Sequence, residues 1–93
     1  MILFDNQQLF EAIASLQDST EARAFLLDLC TPAEIQAMSE RLMIAKLLFQ
    51  EELSYREISE KTGASTTTIG RVARFLRDEN YGGYDLVIRR TEK

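Results

Sequence analysis

The chain has 93 residues, of which 45% are hydrophobic and 28% charged, the balance of one small globular domain. Eleven basic and fifteen acidic residues give a formal net charge of −4, not the average charge of a nucleic-acid binder. The sequence has no histidine, which removes the commonest metal ligand and the Ser-His and Cys-His nucleophile pairs. A single cysteine, Cys30, excludes an internal disulfide and reads as a small buried hydrophobe. No apolar run approaches the length of a bilayer. The apolar start at Met1–Phe4 ends at Asp5, without the basic start and long apolar stretch of a signal peptide, so a cytoplasmic protein with no membrane partner is expected. The acids are scattered, and no metal-ligand spacing, phosphate-binding glycine loop or nucleophile–base pair occurs. No catalytic residue, metal or cofactor is therefore expected, and the chain does not read as an enzyme.

Charge is unevenly distributed. Residues 1–53 hold three basic and nine acidic residues, whereas residues 54–93 hold eight basic and six acidic ones. Arg71, Arg74 and Arg77 follow one another with no acid between them. One face meeting an anionic partner would explain this asymmetry, although a solvated helix with scattered ion pairs would too.

Strand-type alternation is almost absent before residue 84, and Leu, Ala, Glu, Gln, Arg and Met dominate, so the chain reads as a single all-α domain over 1–93. Asp5 or Asn6 caps a first helix over roughly residues 6–17, with Leu9, Phe10, Ile13 and Leu16 at helical spacing. Asp18 with Glu21 marks a second start, and Phe25, Leu26, Leu27 and Leu29 make that helix apolar around much of its circumference. Thr31-Pro32-Ala33-Glu34 is a third start: a Thr cap, Pro at the first helical position and Glu closing the capping box. The helix that follows carries Ile35, Met38, Leu42, Met43, Ala45, Leu47, Leu48 and Phe49, too wide a stripe for a helix covered on one side. Residues 1–53 thus read as a helical dimerisation core completed by a second subunit. The alternative is a compact monomer around one central helix.

Residues 54–77 form a helix-turn-helix candidate. Ser54 and Glu57 make another capping box, Gly63 ends the short helix, and Ser65 caps the next. Ile58, Ile69 and Val72 are apolar where the two helices touch, and Ser59 and Ala64 are small where they approach. The outward positions of the second helix are Ser65, Thr66, Thr67, Thr68, Gly70, Arg71 and Arg74. Short hydroxyl side chains at a helix start suit base edges and phosphates in a major groove. Tyr55 and Arg56 begin the first helix, where such a helix meets the DNA backbone. The other reading of the pair is a purely structural one. Beyond it, Asn80-Tyr81-Gly82-Gly83-Tyr84 is a break, and Asp85–Arg90 is either a last short helix or an extended segment. Tyr84, Leu86, Val87 and Ile88 of this 81–93 segment need an apolar surface, on the partner subunit or on their own.

From Cys30 to about Arg77 the sequence resembles the tryptophan-repressor-like family, in its YerC/YecD-type branch of Gram-positive bacteria. The resemblance rests on Thr31-Pro32-Ala33-Glu34, on Arg41, and on Ser54-Tyr55-Arg56-Glu57 through Gly63-Ala64 to Thr68-Ile69-Gly70-Arg71. It implies a helical bundle with a helix-turn-helix, assembled as an interlocked homodimer whose reading heads reach two half-sites of double-stranded DNA about one helical turn apart. By motif position, Tyr55, Arg56, Ser59, Thr66, Thr67, Thr68 and Gly70 fall where family members contact DNA. Thr31, Arg41 and Arg71 match the pocket that holds tryptophan in some members. Val72 stands where a glycine is usual there, and Phe75 where a serine is usual, so tryptophan is not expected as a corepressor. These features together point to a sequence-specific DNA-binding regulator, a repressor, acting on a palindromic operator through the second helix. The competing function is a helix-turn-helix used to dock another protein, and salt dependence separates the two.

Overall fold

The computed structural model describes residues 3–78 and 81–92. Among these residues there are six helices and no strand. They are α1 (Asn6–Ala14), α2 (Ser19–Leu29), α3 (Pro32–Gln50), α4 (Tyr55–Thr62), α5 (Thr66–Arg77) and α6 (Gly83–Thr91). Of the expected break, Asn80 lies outside the described residues, as do Met1 and Ile2 of the apolar start and Lys93 of the C-terminal segment.

α1 ends at Ala14, three residues short of the expected end at residue 17. The cause is local hydrogen bonding. Ser15 Oγ donates to the Ala12 carbonyl at 2.6 Å, and the Leu16 amide donates to Ile13 at 3.1 Å, closing a tight last turn. Gln17 already belongs to the next start, because its amide donates to Glu21 Oε1 at 3.0 Å while Asp18 Oδ1 accepts from the Glu21 amide at 2.9 Å. α2 stops before Pro32, whose ring disfavours helical backbone at Thr31. Thr31 and Glu34 then make the anticipated capping box: Thr31 Oγ1 accepts from the Glu34 amide at 3.1 Å, and Glu34 Oε1 accepts from the Thr31 amide at 2.8 Å. Cys30 is half-buried and unbonded to any other cysteine.

The chain forms two compact units, Met1–Ile35 and Gln36–Lys93, divided within α3. In the first unit no residue of α1 or α2 is buried. Phe10, Leu27 and Leu29 are each at least half exposed, so these helices keep their apolar faces open in the single chain.

The second unit has a true core. Ile44, Ala45 and Leu48 of α3 pack with Ile58 of α4, Ala64 of the turn, Ile69, Val72 and Ala73 of α5, and Ile88 of α6. The helix-turn-helix is therefore built onto the second half of α3. At the end of that helix Glu51 takes a left-handed conformation (φ 59°), and the Leu48 carbonyl accepts from both the Glu51 amide (3.2 Å) and Arg77 Nη2 (3.3 Å).

The segment left open between helix and extended chain is helical. Gly82 adopts the left-handed conformation (φ 83°) and Gly83 begins α6, so the paired glycines start a helix, while the preceding one has already ended at Arg77. α6 buries Ile88 in its own chain's core, and Tyr84 packs against the same cluster. Glu92 pairs with Lys46 of α3 at 3.7 Å, and the Arg89 guanidinium lies 5.1 Å from the Phe49 ring centroid. The outer side of α6, with Leu86 and Val87, stays exposed.

Truncating either end of this core tests it. Ile58→Ala and Ile88→Ala should each lower unfolding stability by about 2–5 kcal/mol in urea titrations. A loss near zero at Ile88 would show that α6 is not docked on the chain's own core.

Candidate nucleic-acid interface

α4 and α5 are placed by hydrogen bonds that the short side chains of the turn make with its own backbone. Ser54 Oγ accepts from the Glu57 amide at 3.1 Å, and Glu57 Oε1 accepts from the Ser54 amide at 3.0 Å. Gly63 ends α4 at φ 79°, a conformation that a Cβ would strain, and its amide donates to Ser59 at 2.9 Å. Ser59 Oγ donates to the Ala64 carbonyl at 2.7 Å. Thr62 Oγ1 donates to the Ile58 carbonyl at 2.8 Å and accepts from the Ala64 amide at 3.1 Å. Ser65 Oγ accepts from the Thr68 amide at 3.1 Å and donates to Thr68 Oγ1 at 3.0 Å, which caps α5.

The structure thus sorts the sequence candidates into two groups. Ser59, Ser65 and Thr68 use their hydroxyls to hold the turn and the cap, and Ser59 and Thr68 are half-buried. Tyr55, Arg56, Thr66, Thr67, Arg71 and Arg74 are exposed, and Gly70 is half-exposed among them. Ile69, Val72 and Ala73 face the core, so helical spacing places Thr67, Gly70, Arg71 and Arg74 on the opposite side of α5, with Thr66 at its start. Arg56, at the start of α4, projects with a side chain 90% exposed and only a long contact (3.4 Å) to Glu60. Thr66, Thr67, Arg71 and Arg74 together make one outward face of α5. Its chemistry fits phosphates and base edges.

Four of the five residues matched to a small-molecule pocket do come together. Arg41, Arg71, Val72 and Phe75 line an open cavity of about 610 Å³. Tyr81, Tyr84 and Val87 complete its wall, a contribution that the motif reading missed. The i, i+3 spacing of Tyr84 and Val87 was the available signal. Thr31 caps α3 and is not among the lining residues. The Phe75 ring lines the cavity without filling it, and the Arg71 and Arg74 guanidiniums lie 6.0 and 5.7 Å from its centroid. Among the described residues no carboxylate lines the cavity. Among the described residues no group of acids or Cys30 is arranged to hold a metal ion.

The family model of the Trp repressor protein matches residues 5–92. The chain belongs to the Trp repressor family. It is 44% identical over 88 residues to the uncharacterized protein YerC of Bacillus subtilis strain 168, covering 92% of this chain and 81% of that one. To a Trp operon repressor homolog of Vibrio parahaemolyticus it is 36% identical over 76 residues, covering 82% and 74%. Its fold matches the crystal structure of a TrpR-like protein from Eubacterium eligens with a TM-score of 0.80, at 50% identity, over 90% of this chain and 84% of that one. The family is one of DNA-binding transcription regulators, not enzymes, and this chain falls in that class. No helix among the described residues is long and apolar enough to cross a membrane.

The capping boxes carry a pH signature. Hydrogen bonds from the Ser54 amide and hydroxyl hold the Glu57 carboxyl below the ordinary glutamate value, and Thr31 does the same for Glu34. A depressed folded-state pKa adds stability above the unfolded value, and that stability disappears as pH falls through the folded value. Thermal melts of wild type and Glu57→Ala should therefore differ at neutral pH and converge on acidification below the glutamate range. A constant difference would show that the box does not act through the carboxylate.

Proposed function

We propose that the protein is a cytoplasmic, homodimeric repressor that binds a palindromic operator, each subunit reading one half-site with α5. The observation that carries this is the outward face of the helix-turn-helix. Thr66, Thr67 and Arg74 are exposed on α5 and Arg56 is exposed at the start of α4, the two helices being joined by the Gly63 turn. In a helix-turn-helix the second helix enters the major groove and the first crosses the phosphate backbone, which gives Thr67 a base-reading role and Arg56 a phosphate role. Dimerisation is supported by the first unit, whose helices bury no residue in the single chain and leave Phe10, Leu27 and Leu29 open. A second copy supplies the missing apolar cover, and two-fold symmetry makes the operator palindromic.

Free tryptophan does not serve as the corepressor on this reading. The cavity keeps two guanidiniums, Arg41 and Arg71, but Val72 adds bulk where the resemblance has glycine. Phe75 stands where the resemblance has the hydroxyl that would meet an amino group.

The decisive experiment is a selection of genomic fragments at physiological salt without added ligand. Enrichment of a palindromic site is expected. Thr67→Ala should then change base preference at one position by about 1–3 kcal/mol. Arg56→Ala should weaken all sites alike and reduce the salt slope by about one. Salt-independent binding with equal effects from both variants would point instead to a protein partner. In calorimetry, titration with tryptophan should give no binding heat; micromolar affinity would overturn the corepressor assignment.

A further inference from the structure

Gly70 stands in the middle of the outward face of α5. Its neighbours at helical spacing are Thr66 and Thr67 one turn before it and Arg74 one turn after it. Two features that ordinarily require glycine are missing here. Its backbone is helical, unlike that of Gly63 and Gly82, which have positive φ. Apart from its chain neighbours and its own helix backbone, a Cβ built on Gly70 meets no atom within 4 Å, so no packed neighbour in the chain excludes a side chain. Glycine is also the poorest helix former after proline, and α5 already begins with three threonines, which are weak formers. Within the protein, alanine would be the better residue at this position.

We propose that Gly70 is a specificity-determining residue whose missing side chain lets duplex DNA approach the backbone of α5. The inference rests on the DNA-reading function above. Helix 66–77 presents there a notch flanked by Thr66, Thr67 and Arg74. Its floor is the Gly70 methylene, because the amide and carbonyl of a mid-helix residue are taken up by the helix ladder. A floor without a free donor or acceptor suits an apolar projection. The apolar projection of a major groove is the 5-methyl group of thymine, so the notch receives a thymine. A β-carbon at residue 70 would occupy the space of that methyl.

The test is Gly70→Ala in the full chain, with two readouts that should move in opposite directions. The thermal midpoint should rise, by about 4–8 °C for a domain of this size. Affinity for the selected operator should fall by about tenfold or more. Replacing the operator's thymines one at a time by uracil, which lacks the methyl, should restore affinity to the alanine variant at the contacted position. A raised midpoint with unchanged affinity would overturn the role of Gly70, as would a lowered midpoint or a loss that no uracil relieves. A wild-type chain that selects no DNA site would overturn the DNA-reading function itself, and this inference with it.

Discussion

Four isoleucines, one each from α3, α4, α5 and α6, share the core on which the placement of the reading helix depends. Ile44, Ile58 and Ile69 are fully buried and Ile88 is 1% exposed. A β-branched side chain in a helix has essentially one rotamer, so these contacts transmit position with little slack. α5 shares this core with α3, α4 and α6, and its far end is tied again where Arg77 donates to the last turn of α3. The outward face therefore moves with α3. The cavity beside Arg41 and Leu42 of α3 is lined on its other side by Arg71, Val72 and Phe75 of α5. One helix, α5, thus contributes both to the cavity wall and to the outward face.

The serines and threonines of residues 54–68 look alike in sequence and divide sharply in structure. Ser65, Thr66, Thr67 and Thr68 are candidates for groove contact by their outward positions at the start of the second helix, and Ser59 by its place in the motif. Ser54, Ser65 and Thr68 cap, and Ser59 and Thr62 brace the turn. Only Thr66 and Thr67 remain with exposed side chains on the open end of α5. The internal hydroxyls still serve recognition, because a turn satisfied by its own side chains keeps the two helices at a fixed angle. Specificity then falls on fewer positions than the motif suggested, and the glycine between threonines and arginine becomes one of them.

How much was legible in the sequence follows from how local each signal is. Every start set by an N-cap and a glutamate three residues later was readable at Asp18, Thr31 and Ser54, since both partners lie within one turn. The end of α1 was not, because Ser15 and Gln17 fit a helix by propensity and leave it through particular hydrogen bonds. α6 was ambiguous for a different reason. Gly82 gives it no side-chain cap, and what fixes it is the burial of Ile88 against residues some forty positions away. The cavity shows the same division. Arg41, Arg71, Val72 and Phe75 were found by motif position, while Tyr81, Tyr84 and Val87 enter its wall only because α6 docks where it does.

The acidic character of the chain, at first sight awkward for a DNA reader, serves discrimination. Non-specific affinity comes from phosphate neutralisation and grows with the number of cations that reach the backbone. Here residues 1–53 carry a formal charge of −6, and Arg56 at the reading face has Glu60 beside it. On the proposed function, a chain of this net charge gains little from non-specific contact with phosphates. Much of the binding energy is then left to contacts made only on the correct site: hydroxyls at base edges and a close approach over Gly70. The ratio of specific to non-specific affinity governs occupancy in a genome, so a sparingly charged reading head raises selectivity at the expense of raw affinity.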